Sequence, residues 1–318
     1  MTSHYPGGMA RRFAIGIDIG GTTTKAGVVT SEGEVLTRIE RPTDPSAATK
    51  GAIALVDELL ERSTETIAGL GVAAAGFITG SRVTFSPNLV FDDPQLGSAF
   101  EARSGLPVTV DNDANAAVWG EHRFGAARGI DNVAMVTIGT GIGSGFIIEG
   151  RLLRGASGAA GEIGHIVIDP AGPPCGCGLR GCLEQFASGQ AVTTWARVAA
   201  EEDPSTSIVS FAGSIDAITA EHVGRAAREY DETARAVLRR AGRALGIGLS
   251  NIVNIFDPDV IVLGGSVTKA GEAFLGPARD ELARMTAAQR RRPMRLDLSA
   301  LQADAGILGA AALALDAT

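Results

Sequence analysis

Residues 13–30 read FAIGIDIGGTTTKAGVVT. The opening residues, 13–18, are apolar or small up to the acid Asp18, which predicts a buried strand. Gly20, Gly21, Thr22, Thr23 and Thr24 then form a turn, and residues 25–30 resume a strand. A second turn at Ser31, Glu32 and Gly33 leads to a third strand ending near Glu40, so the chain opens as an antiparallel meander. The same order returns at residues 133–148, VAMVTIGTGIGSGFII. There a strand over 133–138 enters the glycine-rich turn 139–145 and leaves as a strand over 146–148. The recurrence predicts a diverged internal duplication.

The segments around these two repeats alternate in type. Residues 51–62 carry Ile53, Val56, Leu59 and Leu60 at helical spacing, for one buried face. Residues 69–78 predict a strand running into a glycine-containing bend. Residues 107–111 predict another strand, which delivers Asn112 and Asp113 to an alanine-rich helix over 114–124. From Gly189 to about Ile255 the pattern is mostly helical, with a loop expected over 204–214. A strand over 260–263 ends in Gly264, Gly265 and Ser266, and a last helix is expected from Asp304 to about Leu315. Strands alternating with helices in two related halves give an α/β fold.

Composition narrows the function classes. The 318 residues suffice for one large domain or two ordinary ones, and the net charge of −8 argues against non-specific nucleic-acid binding. No apolar run reaches transmembrane length. The first dozen residues, MTSHYPGGMARR, lack the apolar core of a secretory signal and read as a disordered tail.

Residues 161–184, GEIGHIVIDPAGPPCGCGLRGCLE, hold all three cysteines of the chain. His165, Cys175, Cys177 and Cys182 supply one imidazole and three thiolates, the set of a closed tetrahedral zinc site that shapes a loop and does no chemistry. The competing reading is three unrelated thiols and a surface histidine. A disulfide framework fits worse, because three is odd and the spacing suits a metal in a reducing cytoplasm. Glu162 and Glu184 flank the ligands.

Each glycine turn offers inward main-chain N–H groups and threonine hydroxyls, which suit phosphate oxygens. Neither is a Walker loop, and 139–145 is no dinucleotide fingerprint, because a strand follows it. Asp18 is a candidate for orienting hydrated Mg²⁺. Lys25 either faces an anion or is a solvated strand residue. Asp113 on its own reads as a helix cap. The same position, at the carboxyl end of a strand, is also where α/β folds place binding groups and where a kinase base would stand. Asn112, Glu162, His165 and Glu184 add acceptors suited to a ring of sugar hydroxyls.

These residues together resemble the ROK family of sugar kinases and repressors, and more narrowly its zinc-containing, ATP-dependent bacterial glucokinases. The matching segments include DIGGTTTK (18–25), SPNL (86–89), LPVTVDNDANAAVWGE (106–121), TIGTGIGSG (137–145), GEIGH (161–165), CGCGLRGCLEQFASG (175–189), FDPDVIVLGGSV (256–267) and GILGAA (306–311). Ser144 stands where many relatives have glycine, and 90–93 lacks a tryptophan common in glucokinases.

The resemblance implies an actin-like ATPase (ribonuclease H-like) fold, two duplicated α/β domains with a central cleft. Residues 13–111 with the helix 304–318 would form the small domain, and 112–303 the large one with the zinc loop 161–184. It implies a homodimer or homotetramer that binds sugar and ATP and neither nucleic acid nor membrane. Asp113 would take the proton of the 6-hydroxyl of glucose. Asn112, Glu162, His165 and Glu184 would bind the other hydroxyls, with Gly76 and Asn88 lining the pocket. His165 would also hold zinc through its other nitrogen. Gly20, Gly21, Thr22, Thr23 and Thr24 would hold the ATP phosphates with Gly139, Thr140, Gly141 and Gly143; Gly264, Gly265 and Ser266 would take the adenosine side. In-line transfer of the γ-phosphoryl from Mg·ATP would follow, with domain closure excluding water.

Three rivals remain on the sequence. A ROK repressor would carry a helix-turn-helix domain before the first turn, where seventeen residues precede Asp18. A non-catalytic sugar sensor is countered by the intact Asp18 and Asp113. A kinase for mannose, allose or an N-acetylhexosamine, or one using polyphosphate, would keep the same framework; the cysteine cluster favours ATP.

Overall fold

The computed structural model describes residues 11–86, 89–286 and 294–318. They divide into two compact units, one reaching to Phe124 and regaining Asp304–Thr318, the other Gly125–Ala303.

The first unit begins with β1 (Phe13–Ile19), β2 (Thr23–Thr30) and β3 (Val35–Pro42), followed by α1 (Ala48–Arg62) and β4 (Ile67–Ala74). A small hairpin, β5 (Phe77–Thr79) and β6 (Arg82–Phe85), precedes α2 (Leu96–Ser104), β7 (Val108–Asn112) and α3 (Asp113–Phe124). The main sheet has the order β3-β2-β1-β4-β7. β1 pairs with β2 antiparallel and with β4 parallel.

The second unit holds β8 (Val133–Ile138), β9 (Ile142–Ile148) and β10 (Arg151–Leu152), then α4 (Glu184–Ala187), α5 (Gly189–Glu202), α6 (Ser207–Ala212), α7 (Ala220–Arg228) and α8 (Glu232–Phe256). β11 (Val260–Gly264), α9 (Glu272–Met285) and β12 (Arg295–Leu298) complete it. Its sheet runs β10-β9-β8-β11-β12. Taken in chain order within each unit, both sheets read third, second, first, fourth, fifth, with the first two pairs antiparallel and the rest parallel. The second sheet thus repeats the strand order of the first. The long α8 buries Leu238, Leu245, Leu249 and Ile252 in the core of this unit.

The chain ends in α10 (Ala305–Ala317), which rejoins the first unit. It lies directly on β1: a Cβ on Gly16 would stand 2.0 Å from the carbonyl oxygen of Ile307. It also lies beside α3, where Trp119 Nε1 donates to Asp316 at 2.9 Å. That packing keeps α3 in the first unit, past the boundary expected at Asp111.

Several local expectations change. The turns are tighter than their glycines suggested, since β2 already starts at Thr23 and β9 at Ile142. Within the loop expected over 204–214, α6 forms, because Thr206 caps it and the Asp231 carboxylate accepts from Ser207 N at 2.8 Å. α2, α9 and β12 go beyond the elements expected from the sequence. Of the expected tail, residues 1–10 lie outside the described residues. Arg12 is held, its guanidinium donating to the Leu315 carbonyl at 3.2 Å. No helix among the described residues is long and apolar enough to cross a membrane.

Candidate functional site

Asp18 sits near the end of β1, directly opposite Lys25 on β2, so the lysine faces the acid. Both side chains are half-buried. Burial, and then repulsion from Asp113, pushes the Asp18 carboxyl up to about 7, with Lys25 pulling it partly back. The close neighbour of Asp18 is Gly306, in the first turn of α10: a Cβ there would lie 2.5 Å from Asp18 Oδ2. Only glycine leaves that carboxylate room.

Asp113 opens α3 where β7 ends, and burial raises its carboxyl against the opposing N–H of Ala114. A carboxylate held at raised basicity suits proton abstraction. Asn112 carries most of the capping: its Oδ1 accepts from Ala114 N at 2.8 Å and Asn115 N at 3.2 Å. Its Nδ2 donates to the Gly76 carbonyl at 3.0 Å, and the same side chain hydrogen-bonds the Asp113 carboxyl and lowers it. Gly76 has φ 128°, and a Cβ there would lie 2.3 Å from the Phe85 carbonyl oxygen. Asn88 lies outside the described residues.

Two residues beneath this junction were not singled out from the sequence. Asp111 is buried, and its Oδ1 accepts from Asn112 N at 2.8 Å and from Asn115 Nδ2 at 2.9 Å. Asn115 is buried as well. Together they fix the angle at which β7 hands Asp113 to α3. The repeated Asp/Asn composition of DNDAN was the available signal.

In the first turn, Gly21 and Thr22 are exposed, and Gly20 N donates to Thr23 O at 3.2 Å. Thr24 points inward instead: it is buried and its hydroxyl lies 2.8 Å from that of Thr43. In the second turn, Gly139 N donates to Gly141 O at 3.0 Å. The carbonyls of Gly139 and Thr140 accept from Gly189 N at 2.8 Å and Gln190 N at 3.2 Å, at the start of α5. Gly143 belongs to the β8–β9 ladder, opposite Thr137. Gly264 ends β11, Gly265 follows with φ 90°, and Ser266 begins a 3-10 turn.

The GEIGH segment docks on β9. Ser144 is buried; its hydroxyl donates to the Gly161 carbonyl and accepts from Ile163 N at 3.4 Å. Ser144 therefore ties the segment bearing Glu162 and His165 to the strand leaving the second turn. Glu184, at the start of α4, accepts from Ile142 N at 2.9 Å.

His165, Cys175, Cys177 and Cys182 place their ligand atoms within 4.8 Å of one another. Nδ1 of His165 lies 3.6 Å from Cys175 Sγ, and Cys177 Sγ lies 3.6 Å from Cys182 Sγ. A disulfide needs about 2.05 Å. Two thiolates on one tetrahedral zinc stand about 3.8 Å apart, from Zn–S bonds of about 2.3 Å. The donor set and spacing fit zinc. Nδ1 faces the cluster, which leaves Nε2 for another partner. The backbone turns tightly here, Cys175 N to Leu179 O at 2.8 Å and Gly178 N to Cys175 O at 3.0 Å. Burial pushes the Cys182 thiol up to about 12, whereas the Leu179 N–H lowers that of Cys177.

The ROK family matches residues 14–317. A glucokinase of Streptomyces coelicolor is 40% identical over 308 residues, covering 94% of this chain and 96% of that protein. A glucokinase of Thermotoga maritima is 36% identical over 304 residues, covering 94% and 96%. The crystal structure of a ROK family glucokinase from Streptomyces griseus, in complex with glucose and AMPPNP, matches with a TM-score of 0.86 at 38% identity. It covers 96% of this chain and 99% of that one. The α/β fold with two five-stranded sheets resembles the fold of these proteins.

Proposed function

Because the chain belongs to the ROK family, we propose that it is an ATP-dependent glucokinase, converting D-glucose and ATP to glucose 6-phosphate and ADP. The observation that carries this reading is the match, over 96% of the chain, to a glucokinase holding glucose and an ATP analogue. The fold is of the actin-like, ribonuclease H-like kind. We place the enzyme in the cytoplasm, where its thiols stay reduced, as a homodimer or homotetramer.

Asp113 takes the proton of the 6-hydroxyl as that oxygen forms its bond to the γ-phosphorus. The bond from the γ-phosphorus to the bridging oxygen breaks, and ADP leaves. Mg²⁺, when bound, neutralises charge on the phosphates. Asp18 would hold the hydrated ion, with Lys25 opposite and Gly306 clearing the space. Glu162, Glu184 and His165 Nε2 bind the other hydroxyls together with the Asn112 side chain, beside Gly76 and Asn88. Each buried polar group left unpaired then penalises the wrong sugar. Main-chain N–H groups of Gly20–Thr24 and Gly139–Gly143 hold phosphate oxygens. Gly264, Gly265 and Ser266 contact the adenosine. Zinc on His165, Cys175, Cys177 and Cys182 would fix the loop that presents Glu162 and Glu184.

A coupled assay with Mg·ATP against glucose, mannose, fructose, allose, N-acetylglucosamine and N-acetylmannosamine tests the reading. Clear preference for glucose is expected. Preference for another sugar would keep the chemistry and change the substrate; no turnover with any would leave a sugar sensor.

A further inference from the structure

We propose that Thr43, just beyond β3, is the positioning residue that aims the first glycine turn at the nucleotide phosphates. The proposal rests on the reading of that turn given above. The Thr43 hydroxyl donates to the Gly20 carbonyl at 2.7 Å, and the Thr43 N–H donates to the Thr22 carbonyl at 3.0 Å. One residue therefore holds two of the turn's carbonyls from behind.

Peptide planarity converts that hold into aim. In a trans peptide the N–H points opposite the C=O of the same unit, and the described chain has no cis peptide. With the carbonyls of Gly20 and Thr22 drawn toward Thr43, the N–H groups of Gly21 and Thr23 face away from it. These two N–H groups, one on either side of Thr22, are turned to the same side and offer donors to an anion there.

The hydroxyl is locked in its role. Its single proton goes to Gly20, so the contact with Thr24 at 2.8 Å must be donated by Thr24. Thr24 is buried. The chain Thr24, Thr43, Gly20 thus has one direction only, and the Thr43 side chain cannot rotate without leaving Thr24 unpaired.

The duplicated turn uses the same device with different parts. There the Gly139 and Thr140 carbonyls are held by the first N–H groups of α5, from Gly189 and Gln190. A helix start does in the second unit what one threonine does in the first. In the first turn the hold on the Gly20 carbonyl thereby hangs on a single side chain, which a substitution can remove.

The test compares Thr43→Val, which keeps the shape and removes the donor, with Thr43→Ser, which keeps the donor. Thr43→Ala serves if the valine variant does not fold, with thermal unfolding as the check. Calorimetry with Mg·AMPPNP and with glucose, and steady-state kinetics, are run on each. Thr43→Val should weaken Mg·AMPPNP binding and raise KM for Mg·ATP by about tenfold, the usual scale for orphaned hydrogen-bond partners. Glucose affinity should stay at the wild-type value, and Thr43→Ser should restore nucleotide binding. Unchanged nucleotide affinity in Thr43→Val, an equal loss for glucose, or no rescue by serine overturns the proposal. Wild-type protein that binds glucose but not Mg·AMPPNP overturns the reading of the turn itself, and the role of Thr43 with it.

Discussion

Oε2 of Glu184 accepts a hydrogen bond from the main-chain N–H of Ile142 at 2.9 Å. A carboxylate assigned to the sugar is therefore fastened to the end of the turn assigned to phosphate. Its second oxygen carries no such tie and remains for a hydroxyl. Glu184→Ala should raise KM for both glucose and Mg·ATP by about tenfold, since it removes a sugar ligand and orphans a turn amide. Glu162→Ala, in contrast, should affect glucose alone. Steady-state kinetics with each substrate varied would decide; an unchanged KM for Mg·ATP in Glu184→Ala would sever the link.

Asp113→Asn keeps an oxygen that can accept from the Ala114 N–H, as Oδ1 does at 2.9 Å in the native residue. The variant should fold and bind glucose normally. Its kcat should fall by about 10²–10⁴-fold, the usual worth of a positioned base. Calorimetric glucose binding beside the coupled assay tests both halves, and wild-type turnover would dismiss Asp113 as the base.

Asp18 makes stability depend on pH. Its carboxyl rises from 3.8 to about 7 on folding. The native state therefore holds a proton that the unfolded chain has released, and the group's contribution is full below the unfolded value. It is lost as pH climbs through about 7, at up to about 1.4 kcal/mol per pH unit. Asp18→Asn, which cannot ionise, should be more stable than wild type at pH 8 in the absence of Mg²⁺ and nucleotide. The difference should shrink toward pH 4. Denaturant melts at both pH values would show it, and parallel pH curves for the two proteins would refute it.

Purified protein should carry about one zinc per chain, as expected of one four-ligand site. Since Cys182 is pushed up to about 12 in the metal-free site, metal uptake must displace its proton. Competition against a zinc indicator should accordingly weaken from pH 8 to pH 6. Cys182→Ser should lose the metal and lose glucose affinity more than ATP affinity, because the loop carries Glu162, His165 and Glu184. Fully active, metal-free wild-type protein would contradict this role.

The sequence by itself determined whatever is written in short, contiguous segments. The two strand–turn–strand repeats announced two related sheets, because period and glycine placement are local. The four candidate metal ligands were legible because they fall in one stretch with no cysteine left over. Asp113 was legible as an acid at a strand end. On the sequence it was ambiguous between cap and base; in the structure Asn112 Oδ1 takes two of the cap bonds and Asp113 Oδ1 one.

The tertiary structure decided what depends on strand register and on residues far apart in the chain. Gly306 meets Asp18 because α10 returns to lie on β1. Thr43 meets Gly20 only through the pairing of β2 with β3, which lays Pro42 beside Thr23. Glu184 reaches Ile142 because the metal loop folds back toward β9. A sequence pattern records which chemistry is present. Hydrogen bonds across such separations arise only when packing fixes register, and it is those bonds that orient the turns and carboxylates.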